Sequence, residues 1–228
     1  MLALIGKLGE YLRTDGLWRT SVRALGHAVY LHNRWIDRGF DRRFGTDTCG
    51  VIPPEELGLG GEHAAGANRY EPVQVPVFRR MMRDLPVRFE DYAFVDLGSG
   101  KGRALLMASL HPFRRVIGVE LSPAMHAAAA RNVAIFERRH AAAGRIELVH
   151  GDALHYPLPE GNLVCFFYNS FGCPLVAKML ARVEGATRDR HRHVFVVYRN
   201  PVCAELFDGA AFMHTIARRA AYRIYRTR

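Results

Sequence analysis

The residues with the clearest chemical potential form one run, Asp96-Leu97-Gly98-Ser99-Gly100-Lys101-Gly102-Arg103. Glycines at alternate positions let a backbone bend sharply and approach a ligand with no Cβ in the way. Asp96 places a carboxylate two residues ahead of the first of them. Two phosphate-binding arrangements share these glycines, and both fail here. The pattern G-x-x-x-x-G-K-[ST] needs glycine where Val95 stands and a hydroxyl where Gly102 follows Lys101. The pattern G-x-G-x-x-G accepts Gly98 and Gly100 but meets Arg103 at its third glycine. A pyrophosphate seeks a bare helix N-terminus with no acid nearby. Asp96 points instead to a ligand that carries positive charge.

An acid two residues before three alternate glycines resembles, at every position, the D-x-G-x-G-x-G loop of class I methyltransferases that use S-adenosylmethionine (SAM). SAM has an α-ammonium and no phosphate, so Asp96 suits it; Gly98, Ser99, Gly100 and Gly102 complete the expected loop. Glu120, 24 residues after Asp96, closes Gly118-Val119-Glu120 and is placed to accept hydrogen bonds from both ribose hydroxyls, with Leu121 following it. In Gly151-Asp152-Ala153, the Asp152 side chain and the Ala153 N–H are placed to hold the adenine amino edge. The run Phe166-Phe167-Tyr168-Asn169-Ser170-Phe171-Gly172 ends a strand that in this fold faces the transferable methyl. Tyr168 and Asn169 therefore join the cofactor site, and Asn169 and Phe171 are candidates for catalysis. This run departs from N-P-P-Y: both prolines are missing and Phe171 replaces the tyrosine. The Asn169 carbonyl can orient an amine between aromatic walls; the alternative is that it only caps the following turn.

The elements that must position these residues alternate from Val77 onward. Helices are expected at Val77–Leu85, Arg103–Leu110, Pro123–Arg139 and Pro174–Val183. Strands are expected at Ala93–Leu97, Val116–Glu120, Ile146–Val149, Leu163–Tyr168 and His193–Tyr198, with two more near Phe212–Ala217 and Tyr222–Arg226. This predicts an α/β fold: a doubly wound, mostly parallel seven-stranded sheet, Rossmann-like, with an N-terminal helical extension. The domain reading is 1–76 for the extension and a lid loop, then 77–228 for the cofactor-binding domain. Helical periodicity runs from Met1 to about Phe44, broken at Asp15-Gly16, and the loop from Gly45 to Pro76 is long enough to act as a lid.

From about Asn68 to Pro201 the chain resembles the seven-strand class I methyltransferases. Arg69-Tyr70-Glu71-Pro72 ahead of the glycine loop, together with Gly118-Val119-Glu120-Leu121-Ser122-Pro123, is more particular. It is similar to the lysine methyltransferases of the ATP-synthase c-subunit and, more distantly, to the seven-strand histone-lysine methyltransferases. The resemblance implies a protein lysine as acceptor, S-adenosylhomocysteine as product, and Tyr70, as part of a lid over SAM, as a third catalytic candidate beside Asn169 and Phe171.

Composition bounds the rest. The 228 residues are 49% hydrophobic and 24% charged, as in an ordinary globular domain, and no apolar run reaches the ~20 residues of a membrane span. The basic N-terminal helices allow peripheral membrane contact. The formal charge of +10 and the basic tail Arg218, Arg219, Arg223, Arg226, Arg228 keep RNA or DNA open as acceptor, beside a protein, a peptide or a small molecule. A non-enzymatic SAM sensor or scaffold is the remaining alternative. Cys49, Cys165, Cys173 and Cys203 lack C-x-x-C spacing, which predicts reduced thiols, no metal site and a cytoplasmic setting.

Overall fold

The computed structural model describes residues 36–37, 39–60, 68–140, 146–168, 172–188 and 192–228. The helical pattern expected before residue 36 lies outside the described residues. Its last turns, 36–37 and 39–44, are helical.

Seven strands form one sheet: β1 (Tyr92–Leu97), β2 (Arg115–Glu120), β3 (Ile146–His150), β4 (Asn162–Tyr168), β5 (Val194–Arg199), β6 (Met213–Arg218) and β7 (Tyr222–Thr227). Their order is β3-β2-β1-β4-β5-β7-β6. The four pairings from β3 to β5 are parallel, and β7 runs antiparallel to both β5 and β6. The sheet is therefore mixed, with its antiparallel part confined to the C-terminal edge. Every residue of β1 is buried, as a central strand covered on both faces requires.

Side chains alternate across the sheet, so the apolar strands feed two cores. On one face Phe94, Val116, Val164 and Phe166 pack under α1 (Val75–Asp84), α2 (Arg103–Ala108) and α3 (Pro123–Glu137). On the other, Val95, Ile117, Cys165 and Phe167 meet α4 (Cys173–Arg188) and α5 (Ala204–Asp208). The chain winds outward from β1 through β2 to β3, then returns to β4 beside β1. That reversal opens a crevice beyond the carboxyl ends of β1 and β4.

Three departures from the expected elements have physical causes. Helix α1 begins at Val75, because Pro76 suits the first helical turn and the Asp37 carboxylate accepts the Val75 N–H at 3.1 Å. Helix α4 continues through Gly185 to Arg188, carried by its apolar stripe Val176, Met179 and Val183. Helix α5 is too short to show periodicity.

The expectation of four reduced thiols is corrected. Cys173 and Cys203 form a disulfide that joins the start of α4 to the residue preceding α5, while Cys49 and Cys165 are free. The pairing was invisible in the spacing because 30 residues separate the partners and the sheet brings them together. Phe40 and Phe44 of the N-terminal helical turns are buried, with the Phe44 ring 5.0 Å from that of Phe136.

Candidate active site

The crevice is a cavity whose wall includes Asp96, Gly98, Ser99, Gly100, Glu120, Leu121, Asp152, Ala153, Tyr168 and Tyr70. The structure thus gathers residues from four strand ends and from the segment before α1. Asn169 and Phe171 lie outside the described residues.

The bend after β1 is fixed by its backbone. Gly98 and Ser99 donate to the Val119 carbonyl at 2.9 and 3.0 Å, and Gly102 donates to Ser99 O at 2.9 Å. Gly98, Gly100 and Gly102 have φ of 93°, 53° and 85°, the left-handed region that favours glycine. Gly100 has a second reason. A Cβ there would lie 2.4 Å from the Tyr70 ring, so that ring rests directly on the bend. Gly102 borders α2 and lies behind the cavity, its missing Cβ facing Ala129.

Glu120 ties β2 to this bend. Its Oε2 accepts the Gly100 N–H at 2.7 Å and its Oε1 accepts the Ser122 N–H at 2.8 Å. The Leu121 N–H also bonds to this carboxylate, which keeps capacity for a hydroxyl donor. Asp96 is only 2% exposed. Burial, reinforced by the Glu120 charge, pushes its carboxyl well above the usual carboxylate range. Burial also raises Glu120, against hydrogen bonds that favour its anion. A buried acid and a partly exposed one that repel each other in the same cavity wall favour a cation beside them.

Asp152 is more committed than its sequence position suggests. Its Oδ1 accepts the Leu154 N–H at 2.8 Å and its Oδ2 lies 2.6 Å from His155 Nδ1. His150 contacts the Leu121 carbonyl at 3.1 Å. The Ser99 hydroxyl is buried against Gly118 and has no hydrogen-bond partner. Tyr70 donates to the Thr48 carbonyl at 2.8 Å, and burial holds its phenol far above the range of a working base. Its geometry is that of a cover.

A buried charge cluster behind the bend escaped the sequence reading. Arg103, 2% exposed, places Nη1 3.1 Å from Asp37 and Nη2 3.2 Å from Asp41. Its Nε donates to Thr48 Oγ1 at 2.7 Å. Asp41 also accepts from the Thr46 and Thr48 hydroxyls and the Thr48 and Cys49 N–H groups. Burial alone would raise Asp41, but these hydrogen bonds and Arg103 bring it below the usual carboxylate range. Asn132 joins Asp47 to the Lys101 carbonyl. Asp37, Asp41 and residues 46–49 are therefore fastened to Arg103 and the glycine bend. Two acids at i and i+4 in an arginine-rich helical stretch were the available signal.

Residues 94–190, covering β1 to the end of α4, match the family described as a methyltransferase domain. The match spans a little under half of the chain and takes in the glycine bend, Glu120 and Asp152. A SAM-dependent O-methyltransferase from Thermotoga maritima shares the fold at 12% identity and a TM-score of 0.52, over 70% of this chain and 67% of that one. A putative methyltransferase from Escherichia coli, 18% identical, gives 0.52 over 69% and 87%. An RNA methyltransferase from Salinibacter ruber in complex with S-adenosylhomocysteine is 22% identical, with a TM-score of 0.49 over 68% and 92%. No curated protein matches the chain. The methyltransferase is a SAM-dependent enzyme of the Rossmann-like class I type, and its donor set fits that cofactor. Asp96 offers a carboxylate to an ammonium, Glu120 offers lone pairs to hydroxyls, and the bend offers a backbone without Cβ atoms. Among the described residues no three potential ligands gather to hold a metal, and no helix is long and apolar enough to cross a membrane.

Proposed function

We propose that the methyltransferase acts on nitrogen, with the amine of a protein or peptide, lysine in character, as acceptor. The observation that carries this reading is the charge of the cavity wall. Glu71, Asp96, Glu120 and Asp152 stand there against two guanidiniums, Arg69 and Arg103. Arg103 is neutralised by Asp37 and Asp41. Arg69 is 61% exposed, where water and salt screen it. A wall whose carboxyl groups outnumber its unpaired guanidiniums favours an acceptor that arrives as a cation or a neutral base, and disfavours a phosphate ester.

SAM supplies a methyl group on a sulfonium, already a good leaving group. The chain's part is proximity, orientation and exclusion of water. Phe166, Tyr168 and Leu175 give the cavity apolar and aromatic surface, and Tyr70 covers the bend. In this reading Asn169 orients the amine and Phe171 helps exclude water. An ordinary lysine titrates near 10.4, so its amine must shed a proton before it attacks.

The basic C-terminal hairpin gives little support to a polynucleotide acceptor. Arg218 and Arg223 pair with Asp208, and Arg219 pairs with Asp84. Incubation with tritiated SAM and fractionated lysate tests the reading. Label should enter the protein pool and emerge as methyl-lysine after hydrolysis; label confined to RNA or small molecules would overturn it. Asn169→Ala should leave SAM affinity unchanged and lower turnover, compared by calorimetry and single-turnover rates.

A further inference from the structure

The cavity wall holds one acid beyond the three expected to meet the cofactor, Glu71. Glu71 follows Tyr70, and its side chain is 17% exposed. Its carboxylate faces the end of β4, where the Tyr168 hydroxyl donates to it. On its open side Arg69 Nη2 lies 3.3 Å from Oε2. Tyr168 is itself held in place: the Arg199 guanidinium lies 5.0 Å over its ring, fixed by Gln74 Oε1 at 3.0 Å and the Ala221 carbonyl at 2.7 Å.

The fold thus holds a carboxylate beside the end of β4, the strand end expected to face the methyl group. Asp96 and Glu120 belong to β1 and β2, with Asp96 in register with Phe166, two residues before Tyr168. A carboxylate has about four lone-pair positions, and Tyr168 and Arg69 leave capacity unused. Glu71 is also oriented by its partners before any ligand arrives, which lowers the cost of ordering it on binding. We propose that Glu71 is the anchor for the acceptor's ammonium group, presenting it at the end of β4. The inference rests on the amine-acceptor reading above and adds the residue that enforces it.

The test titrates S-adenosylhomocysteine-loaded protein with Nα-acetyl-lysine methylamide, followed by NMR. The uncharged norleucine analogue serves as control. Wild type should bind the lysine probe and not the norleucine one. Glu71→Gln, close in shape, should weaken lysine binding at least tenfold while S-adenosylhomocysteine affinity stays within twofold. Equal lysine binding by wild type and Glu71→Gln would remove Glu71 as anchor and leave the amine reading standing. A parallel fall in S-adenosylhomocysteine affinity would place Glu71 in the cofactor site and overturn the proposal. Failure of wild type to prefer lysine over norleucine would overturn both readings together.

Discussion

At the scale of single residues, Asp96 sets a conflict between folding and binding. Its carboxyl titrates above the usual range because burial and Glu120 both oppose the anion. The folded protein therefore binds a proton there more tightly than the unfolded chain does. Whatever stability Asp96 lends is complete below the ordinary carboxylate range and declines as pH rises toward neutrality. Asp96→Asn should accordingly raise the melting temperature of the cofactor-free protein at pH 7, by roughly 2–4 °C for each kcal/mol regained. A calorimetric scan showing a lower melting temperature would mean that the carboxylate is compensated in the free protein. A cationic ligand selects the ionised form, so SAM affinity should tighten as pH rises through the raised Asp96 pKa. Asp96→Asn should flatten that dependence.

Secondary-structure elements decide how well these residues are held. Gly100 combines a φ of 53° with the Tyr70 ring in the space of its missing Cβ. Gly100→Ala should cost roughly 1–2 kcal/mol from backbone conformation alone, and displace Tyr70, read as lost protection of the Tyr70 and Ile52 amides in hydrogen exchange. Unchanged protection would mean that the cover is independent of the bend. The Cys173–Cys203 bond joins the chain leaving β4 to the chain leaving β5. Cys203→Ser should lower unfolding free energy by about 2–4 kcal/mol under non-reducing conditions, measured by urea titration; no change would show that the link constrains nothing.

These elements also mark how far the sequence could be read. Strands β1, β2 and β4 were legible because short apolar runs between turn residues leave few alternatives. The glycine bend and its acids were legible because their chemistry is local in sequence. The Arg103 cluster, the disulfide and the Glu71–Tyr168 contact were not, because each joins residues that only the folded sheet brings together. Arg103 stands within the motif, yet its partners Asp37 and Asp41 lie more than 60 residues away.

Across the whole molecule the formal charge is +10, yet the cavity wall is acidic and three hairpin arginines are paired internally. Net charge therefore describes long-range attraction, and the site describes selection. Polynucleotide added at physiological salt should leave methyl transfer to protein unchanged. Competitive inhibition that weakens steeply with salt would assign the basic surface a substrate role. Selection at the carboxylate-flanked glycine bend, of a cationic nucleoside over a phosphorylated one, is the central claim. Calorimetric titration of the wild type and Asp96→Asn with SAM, NAD and ATP tests it directly. The account predicts that wild type binds SAM alone and that Asp96→Asn loses at least tenfold in affinity; NAD or ATP binding in place of SAM, or SAM affinity indifferent to Asp96, would contradict it.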